Sequence, residues 1–267
     1  MNLQGREIPS EILQYVHNKN YTMDDIGQSN SNVYCFDDMV LKIESEGENA
    51  DNEHRMLSWL KERLPVPEIL CAIKRAGTSF LLMSRMDGEM ACAEQYICQP
   101  TELVKILAEG LRLLWQVDVS DCPYDNRLDN KLRLAEIAVQ EGLCDTENVE
   151  PDTYGEGGFA SPKELLQWLK EHRPKEEPVF SHGDFCLPNI FVKNGHINGF
   201  IDWGNGGIAD RYQDIALCYR SLLHNYSGKY SDGKVYEGFE PELLFEELGI
   251  EPDWEKIKYY ILLDELF

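Results

Sequence analysis

The feature that most restricts this chain is Asn194-Gly195, set between the apolar runs 189–193 and 196–202 in a stretch whose flanks read as helix. A two-residue turn needs positive φ at both central positions, and Asn-Gly accepts that conformation readily, so the segment predicts a β-hairpin. Pairing across the turn sets Lys193 opposite His196 and Asn189 opposite Phe200. Strand side chains alternate, so residues 200 and 202 share a face, and Asn189 and Asp202 come to one end of the hairpin. An amide oxygen and a carboxylate converging there suit a hard cation such as Mg²⁺ carrying phosphate.

Just upstream stands Ser181-His182-Gly183-Asp184, five residues before Asn189. With the hairpin and Asp202-Trp203-Gly204 behind it, this string has the layout of a phosphoryl-transfer loop: a catalytic Asp184, a metal-binding Asn189 and a metal-binding Asp202. A plain acidic turn with a capping Asn is the competing reading. His182 is expected to orient the loop by hydrogen bonds rather than to take a proton. Such chemistry also asks for a lysine on a strand. Val33–Phe36, Asp37-Asp38 and Met39–Ile43 read as a second hairpin, with Lys42 on its second strand. In the helix expected from Asn49 to Arg63, Met56, Leu57, Leu60 and Leu64 form an apolar stripe, and Glu53 falls on the same face. An inward carboxylate needs a cation, so Glu53 is expected to pair with Lys42. Ser29, in the small polar stretch 27–32 before the first strand, could let backbone N–H groups face phosphate.

The remaining pattern is strand-rich early and helical late, an α+β chain. Residues 1–86 are expected to form a small β-rich, nucleotide-binding lobe ending in a hinge. Residues 87–267 are expected to form a larger, mostly helical lobe carrying the catalytic loop. A polar helix is expected within residues 1–20, with Pro9-Ser10-Glu11 as its start, then helices at Thr101–Val117, Asn126–Glu141 and Ser161–His172, with two more after residue 210. The net charge of −23 repels phosphate backbones and excludes nucleic acid as an expected partner, while favouring cations. From 141 to 156 there are six acids and no Lys or Arg, with Glu156 the best single candidate for contact with a cationic substrate. No apolar run approaches the roughly 18–20 residues that cross a bilayer, and the eight scattered cysteines show no metal spacing. The expectation is a cytoplasmic protein with reduced thiols, no membrane and no obligate protein partner.

Taken together, Ser-His-Gly-Asp-x4-Asn-Ile-Phe-Val-Lys, Gly-Phe-Ile-Asp-x-Gly, Ala209–Ala216 and the terminal Asp264-Glu265-Leu266-Phe267 resemble the aminoglycoside 3′-phosphotransferases. The likeness includes Leu64-Pro65-Val66-Pro67 and Leu81-Leu82-Met83-Ser84. It implies a protein-kinase-like two-lobe fold, with ATP or GTP as donor, Mg²⁺ as cofactor and a cationic aminoglycoside as acceptor. By this resemblance Asp184 is the catalytic base and touches substrate, Asn189 and Asp202 hold magnesium, and Lys42, fixed by Glu53, contacts the nucleotide. Ser29 falls in the phosphate-covering loop, and Ser84 and Met86 fall where hinge backbone meets the base. Asp214 is a brace for the catalytic loop, and Glu265 and the Phe267 carboxylate contact the aminoglycoside. A kinase for another amine or a macrolide, a weakly active nucleotide-binding sensor and a metal-dependent hydrolase remain open alternatives.

Overall fold

The computed structural model describes residues 2–3, 6–24, 31–229 and 233–267. Its first elements are β1 (Asn2–Leu3), β2 (Arg6–Glu7), α1 (Ser10–Val16), β3 (Thr22–Asp24), β4 (Asn32–Cys35), β5 (Met39–Ser45) and α2 (Glu48–Leu60). β6 (Ile69–Arg75), β7 (Thr78–Ser84), β8 (Glu89–Met90), α3 (Glu94–Ile97), α4 (Pro100–Trp115), α5 (Leu128–Glu141) and α6 (Pro162–Glu171) follow. The chain continues through β9 (Pro178–Ser181), β10 (Ile190–Lys193), β11 (His196–Phe200) and β12 (Gly207–Asp210), then α7 (Arg211–Ser227), α8 (Leu243–Leu248) and α9 (Trp254–Asp264). It divides into two compact units, Met1–Ala91 with Pro188–Asn205, and Cys92–Leu187 with Gly206–Phe267; sequence alone suggested a division at 86/87.

In the first unit an antiparallel sheet runs in the order β3-β4-β5-β7-β6. The Asp37-Asp38 turn is closed by the Phe36 N–H donating to Met39 O at 2.8 Å. Leu41 and Ile43 of β5 join Tyr34, Phe36, Phe80 and Leu82 in a core with Ile12 and Val16 of α1. Because side chains alternate along a strand, Lys42 between them leaves that core and faces the other side of the sheet. The first helix starts where expected, directly after Pro9, whose missing N–H and fixed φ suit a helix start, and ends at Val16; before it β1 and β2 pair with each other.

The Asn194-Gly195 hairpin forms, with both residues at positive φ and Lys193 opposite His196. Its far end is shifted by one: Ile190, not Asn189, faces Phe200. A bulge after Phe191 leaves Asn198 outside the pairing, and Asn198 Nδ2 donates instead to Asp87 O at 2.7 Å. Beside it, a Cβ on Gly199 would stand 1.9 Å from Met86 Cε, so a larger residue there would require the end of the Met86 side chain to move. β10 also pairs with β8, giving the order β11-β10-β8, and the Phe200 N–H donates to Pro65 O at 3.1 Å. Those long-range bonds make the hairpin part of the first unit.

The second unit is helical around one short antiparallel ladder, β9 with β12. Leu103, Leu107, Leu111 and Leu114 give α4 a buried stripe, and α7 and α9 pack on each other. Asp210 caps α7 by accepting the Tyr212 N–H at 3.1 Å, and its other carboxylate oxygen accepts from Lys256 Nζ and Tyr260 OH, both at 3.0 Å. That buried knot fixes the start of α7 to α9. After residue 210 the described residues hold three helices rather than two; the short α8 carries too little periodic signal to stand out. Among the described residues no helix is long and apolar enough to cross a membrane.

Candidate active site

Lys42 stands among three carboxylates on the first unit. Its Nζ lies 2.7 Å from Glu53 Oε2, 2.9 Å from Asp202 Oδ1 and 3.8 Å from Glu44 Oε1. Both Lys42 and Glu53 are buried. Burial is the largest influence on Lys42 and disfavours its charge, yet the three carboxylates outweigh it and hold its pKa above the usual lysine range. Glu53 and Glu44 are each pushed up by burial, with Lys42 pulling down and the other acids adding repulsion.

Asp202 and Asn189 lie on the same unit. The Ile201 N–H donates to Asn189 O at 3.0 Å, which ties the approach to Asn189 to the residue before Asp202. Asp202 does not continue the strand, as alternation had implied: its φ is +62°, in the left-handed region that short polar side chains tolerate. Trp203 is fully buried and donates Nε1 to Phe200 O at 3.1 Å, pinning the turn that follows the hairpin. Of the expected hinge residues, the Ser84 N–H donates to Glu68 O at 2.8 Å and its Oγ accepts the Glu68 N–H at 2.9 Å. Met86 is half-buried against Gly199. Ser29 lies outside the described residues. A groove of about 510 Å³ between α2 and β6–β7, lined by Asp51, His54, Arg55 and Lys74, contains none of these groups.

The second unit holds Asp184 by different means. Asp214, fully buried on α7, accepts the N–H groups of His182 at 2.8 Å and Gly183 at 2.9 Å. Gln213 Nε2 donates to Gly183 O at 3.2 Å, and Ser221 Oγ accepts the Leu187 N–H at 3.0 Å. Positions 214 and 221 are two turns apart on one helix face, so a single side of α7 grips both ends of the loop. His182 Nδ1 accepts the Asp184 N–H at 3.3 Å, an orienting contact. Burial raises the pKa of Asp214, opposed by His182 and by the backbone N–H groups it accepts. Asp184 stands half-buried on this braced loop.

At the C-terminus, Glu265 is buried rather than open. Its Oε2 accepts the Glu150 N–H at 3.1 Å and its Oε1 faces Arg220 Nη1 at 3.3 Å, while Arg220 also pairs with Asp264. Burial pushes the Glu265 carboxyl up to about 7 against the pull of Arg220. Glu150 in turn meets His224 Nε2 at 2.7 Å and Lys229 Nζ at 3.0 Å. Glu156 is exposed and stands outside this knot, and Phe267 is half-exposed. Lys131 Nζ lies 4.6 Å over the Phe267 ring, and Asp264, Asp184 and Asp214 counter the lowering of its pKa by burial. Sequence reasoning missed Lys131, Arg220 and Ser221. A signal existed for Lys131, which interrupts the apolar stripe Leu128, Leu132 and Ala135 of α5.

A strand lysine paired with a helix glutamate, and a braced loop presenting an aspartate, define a phosphotransferase of protein-kinase type. The sequence profile described as "Phosphotransferase enzyme family" matches residues 22–257. An aminoglycoside 3′-phosphotransferase of Enterococcus faecalis is 45% identical over 223 residues, covering 82% of this chain and 79% of that protein. The crystal structure of an aminoglycoside 3′-phosphotransferase of type VIII superposes with a TM-score of 0.80 at 28% identity, covering 93% of this chain and 94% of that one. An aminoglycoside phosphotransferase from Streptomyces rimosus, solved with ADP and streptomycin, shares the fold with a TM-score of 0.77 at 22% identity over 96% of both chains. This chain belongs to the phosphotransferase enzyme family and, within it, to the aminoglycoside 3′-phosphotransferases. Its fold is accordingly the α+β protein-kinase-like one, with a β-rich first unit and a mostly helical second.

Proposed function

We propose that this enzyme transfers the γ-phosphoryl group of a nucleoside triphosphate to the 3′-hydroxyl of an aminoglycoside, and thereby confers resistance. The observation that carries the reading is Lys42, held between Glu53 and Asp202 while Asp214 braces the loop of Asp184. Lys42 would contact the nucleotide phosphates, and Glu53 would keep its ammonium in place. Asp184 would align the acceptor hydroxyl and accept its hydrogen bond, so that the attacking oxygen is in line. Hinge backbone at Ser84 and Met86 would meet the base, Ser29 would lie over the phosphates, and Glu156, Glu265 and Phe267 would meet the cationic acceptor.

Asn189 and Asp202 fit Mg²⁺ brought in on phosphate. They offer one amide oxygen and one carboxylate, and among the described residues no three His, Cys, Asp or Glu form a cage of their own. Mg²⁺ keeps several waters and takes one or two carboxylates plus substrate phosphates, which is the set available here. When bound it would neutralise charge on the transferring group. The net charge of −23 favours a polycationic acceptor over a neutral one.

The test is a coupled assay of nucleoside diphosphate release, with Mg²⁺ and either ATP or GTP, against kanamycin, neomycin, choline and a macrolide. Turnover confined to the aminoglycosides, with the product phosphate located on the 3′-oxygen by NMR, is the expected result. Turnover with choline or the macrolide but neither aminoglycoside would overturn the acceptor assignment.

A further inference from the structure

Asn52 is the residue before Glu53 on α2. It is fully buried, and its Nδ2 donates to Gly204 O at 3.0 Å. Gly204 closes the Asp202-Trp203-Gly204 turn, and a Cβ there would stand 2.1 Å from Asn49 Oδ1. Asn49 Nδ2 also reaches Asn205 Oδ1 at 3.4 Å. Residues 49 and 52 lie on one face of α2, so that face grips the two residues that follow Trp203.

Such a grip has work to do beside Asp202. At φ +62° Asp202 is in the left-handed region, which a short polar side chain tolerates at some cost, so contacts on the residues that follow help to hold it there. The backbone at 202 aims the carboxylate, so whatever holds 203–204 also sets the direction of Asp202. Lys42 contacts Asp202 too, at 2.9 Å, but it does so on the carboxylate itself. A metal ion carried on phosphate would claim those same oxygens, and Lys42 would be drawn toward phosphate. The Asn52 contact is neutral, lands on backbone and competes with neither.

We propose that Asn52 is a positioning residue for Asp202: it locks the 202–204 backbone to α2, so that the carboxylate keeps its metal-binding direction independently of Lys42. The inference rests on the reading of Asp202 as a metal ligand. Glu53 and Asn52 then give α2 two separate holds on the site, one through charge and one through backbone.

Calorimetric titration of the full chain with a non-hydrolysable ATP analogue, once with Mg²⁺ and once with EDTA, tests this. The ratio of the two affinities is the readout. Asn52→Ala and Asn52→Asp should lower that ratio about ten-fold and leave the metal-free affinity within about two-fold, the size expected when a group supporting a metal ligand is lost. Asn52→Ser, which keeps a donor, should recover part of the ratio and serves as the deciding variant if urea unfolding shows the alanine form to be unfolded. Asp202→Ala is the reference and should abolish the metal enhancement. If Asp202→Ala abolishes it while the Asn52 variants keep the wild-type ratio, the positioning role is overturned. An equal loss with and without metal would overturn it as well, because that is the mark of a merely structural residue. If Asp202→Ala keeps the wild-type ratio, the metal-ligand reading fails first and takes this inference with it.

Discussion

The two units hold their functional groups by opposite means. On the first, Lys42 is kept in place by charges, with three carboxylates around one buried ammonium. On the second, Asp184 is kept in place by a loop whose backbone N–H groups end on Asp214 and Ser221. The first arrangement answers to protons, cations and phosphate, because each changes the charge sum at Lys42. The second answers less to cations and phosphate, since its bonds are short-range and run to peptide groups. Under the proposed roles both are useful: the Lys42 cluster would adapt as phosphate and metal arrive and leave, while Asp184 would hold the acceptor still.

The comparison is broken most severely at Asp184. Asp184→Ala should lower kcat about 10³-fold or more while the affinity for nucleotide, measured by calorimetry, stays at the wild-type value. A matching fall in nucleotide affinity would show that the two ends are not separable. Lys42→Met should come next. It strands Glu53 as a buried acid without its cation, and urea unfolding near neutral pH should register a loss of about 3–5 kcal/mol. Burial already raises the pKa of Glu53 with Lys42 present, and removing the ammonium raises it further, so at low pH the acid is protonated and needs no partner. The loss should therefore grow as pH rises above neutral; a loss that is the same at acid and alkaline pH would contradict the charge-held description.

Asp214→Asn sharpens the other side. It keeps the shape but turns one accepting oxygen into an NH₂ group facing a peptide N–H, and should destabilise by about 1–3 kcal/mol. The expected signature is a fall in kcat with an unchanged nucleotide KM; a raised nucleotide KM with normal kcat would place the brace on the wrong end. The smallest effect lies at Glu265. Its folded pKa of about 7 exceeds its ordinary value of 4.5, so its contribution is fully present below about 4.5 and is lost as pH rises through about 7. Glu265→Gln should flatten the dependence of stability on pH within that window, as read from urea midpoints, and an unchanged slope would remove Glu265 as its source.

Some of this was legible in the residues. The Lys42–Glu53 contact followed from an acid on an apolar helix face that required a cation. The tip of the 190–200 hairpin followed from Asn-Gly, which dictates its own turn. The far end of that hairpin did not, because the bulge at Asn198 depends on Asp87, more than a hundred residues earlier. β12 was missed for a similar reason, as Gly207–Asp210 has little strand character and becomes a strand by pairing with β9. The left-handed Asp202 was equally hidden, for nothing local forbids it from extending β11; buried Trp203 and the Asn52–Gly204 contact turn the chain there.

By itself, then, the sequence determined what depends on neighbours along the chain: the turns, the amphipathic faces, the phosphotransfer motif and the acidic character. Beyond the Lys42–Glu53 pair, tertiary structure decided which groups the motif residues touch. Glu265 reads as an open acid at a chain end, yet it is buried against Arg220 and the Glu150 N–H, because α7 and the 141–160 loop converge on it. Asp214 becomes a brace only because α7 lays it under the peptide groups of His182 and Gly183. Local preferences act over a few residues, whereas burial and hydrogen-bond partners are set by segments 30 to 160 residues apart, as from Gly183 to Asp214 and from Lys42 to Asp202.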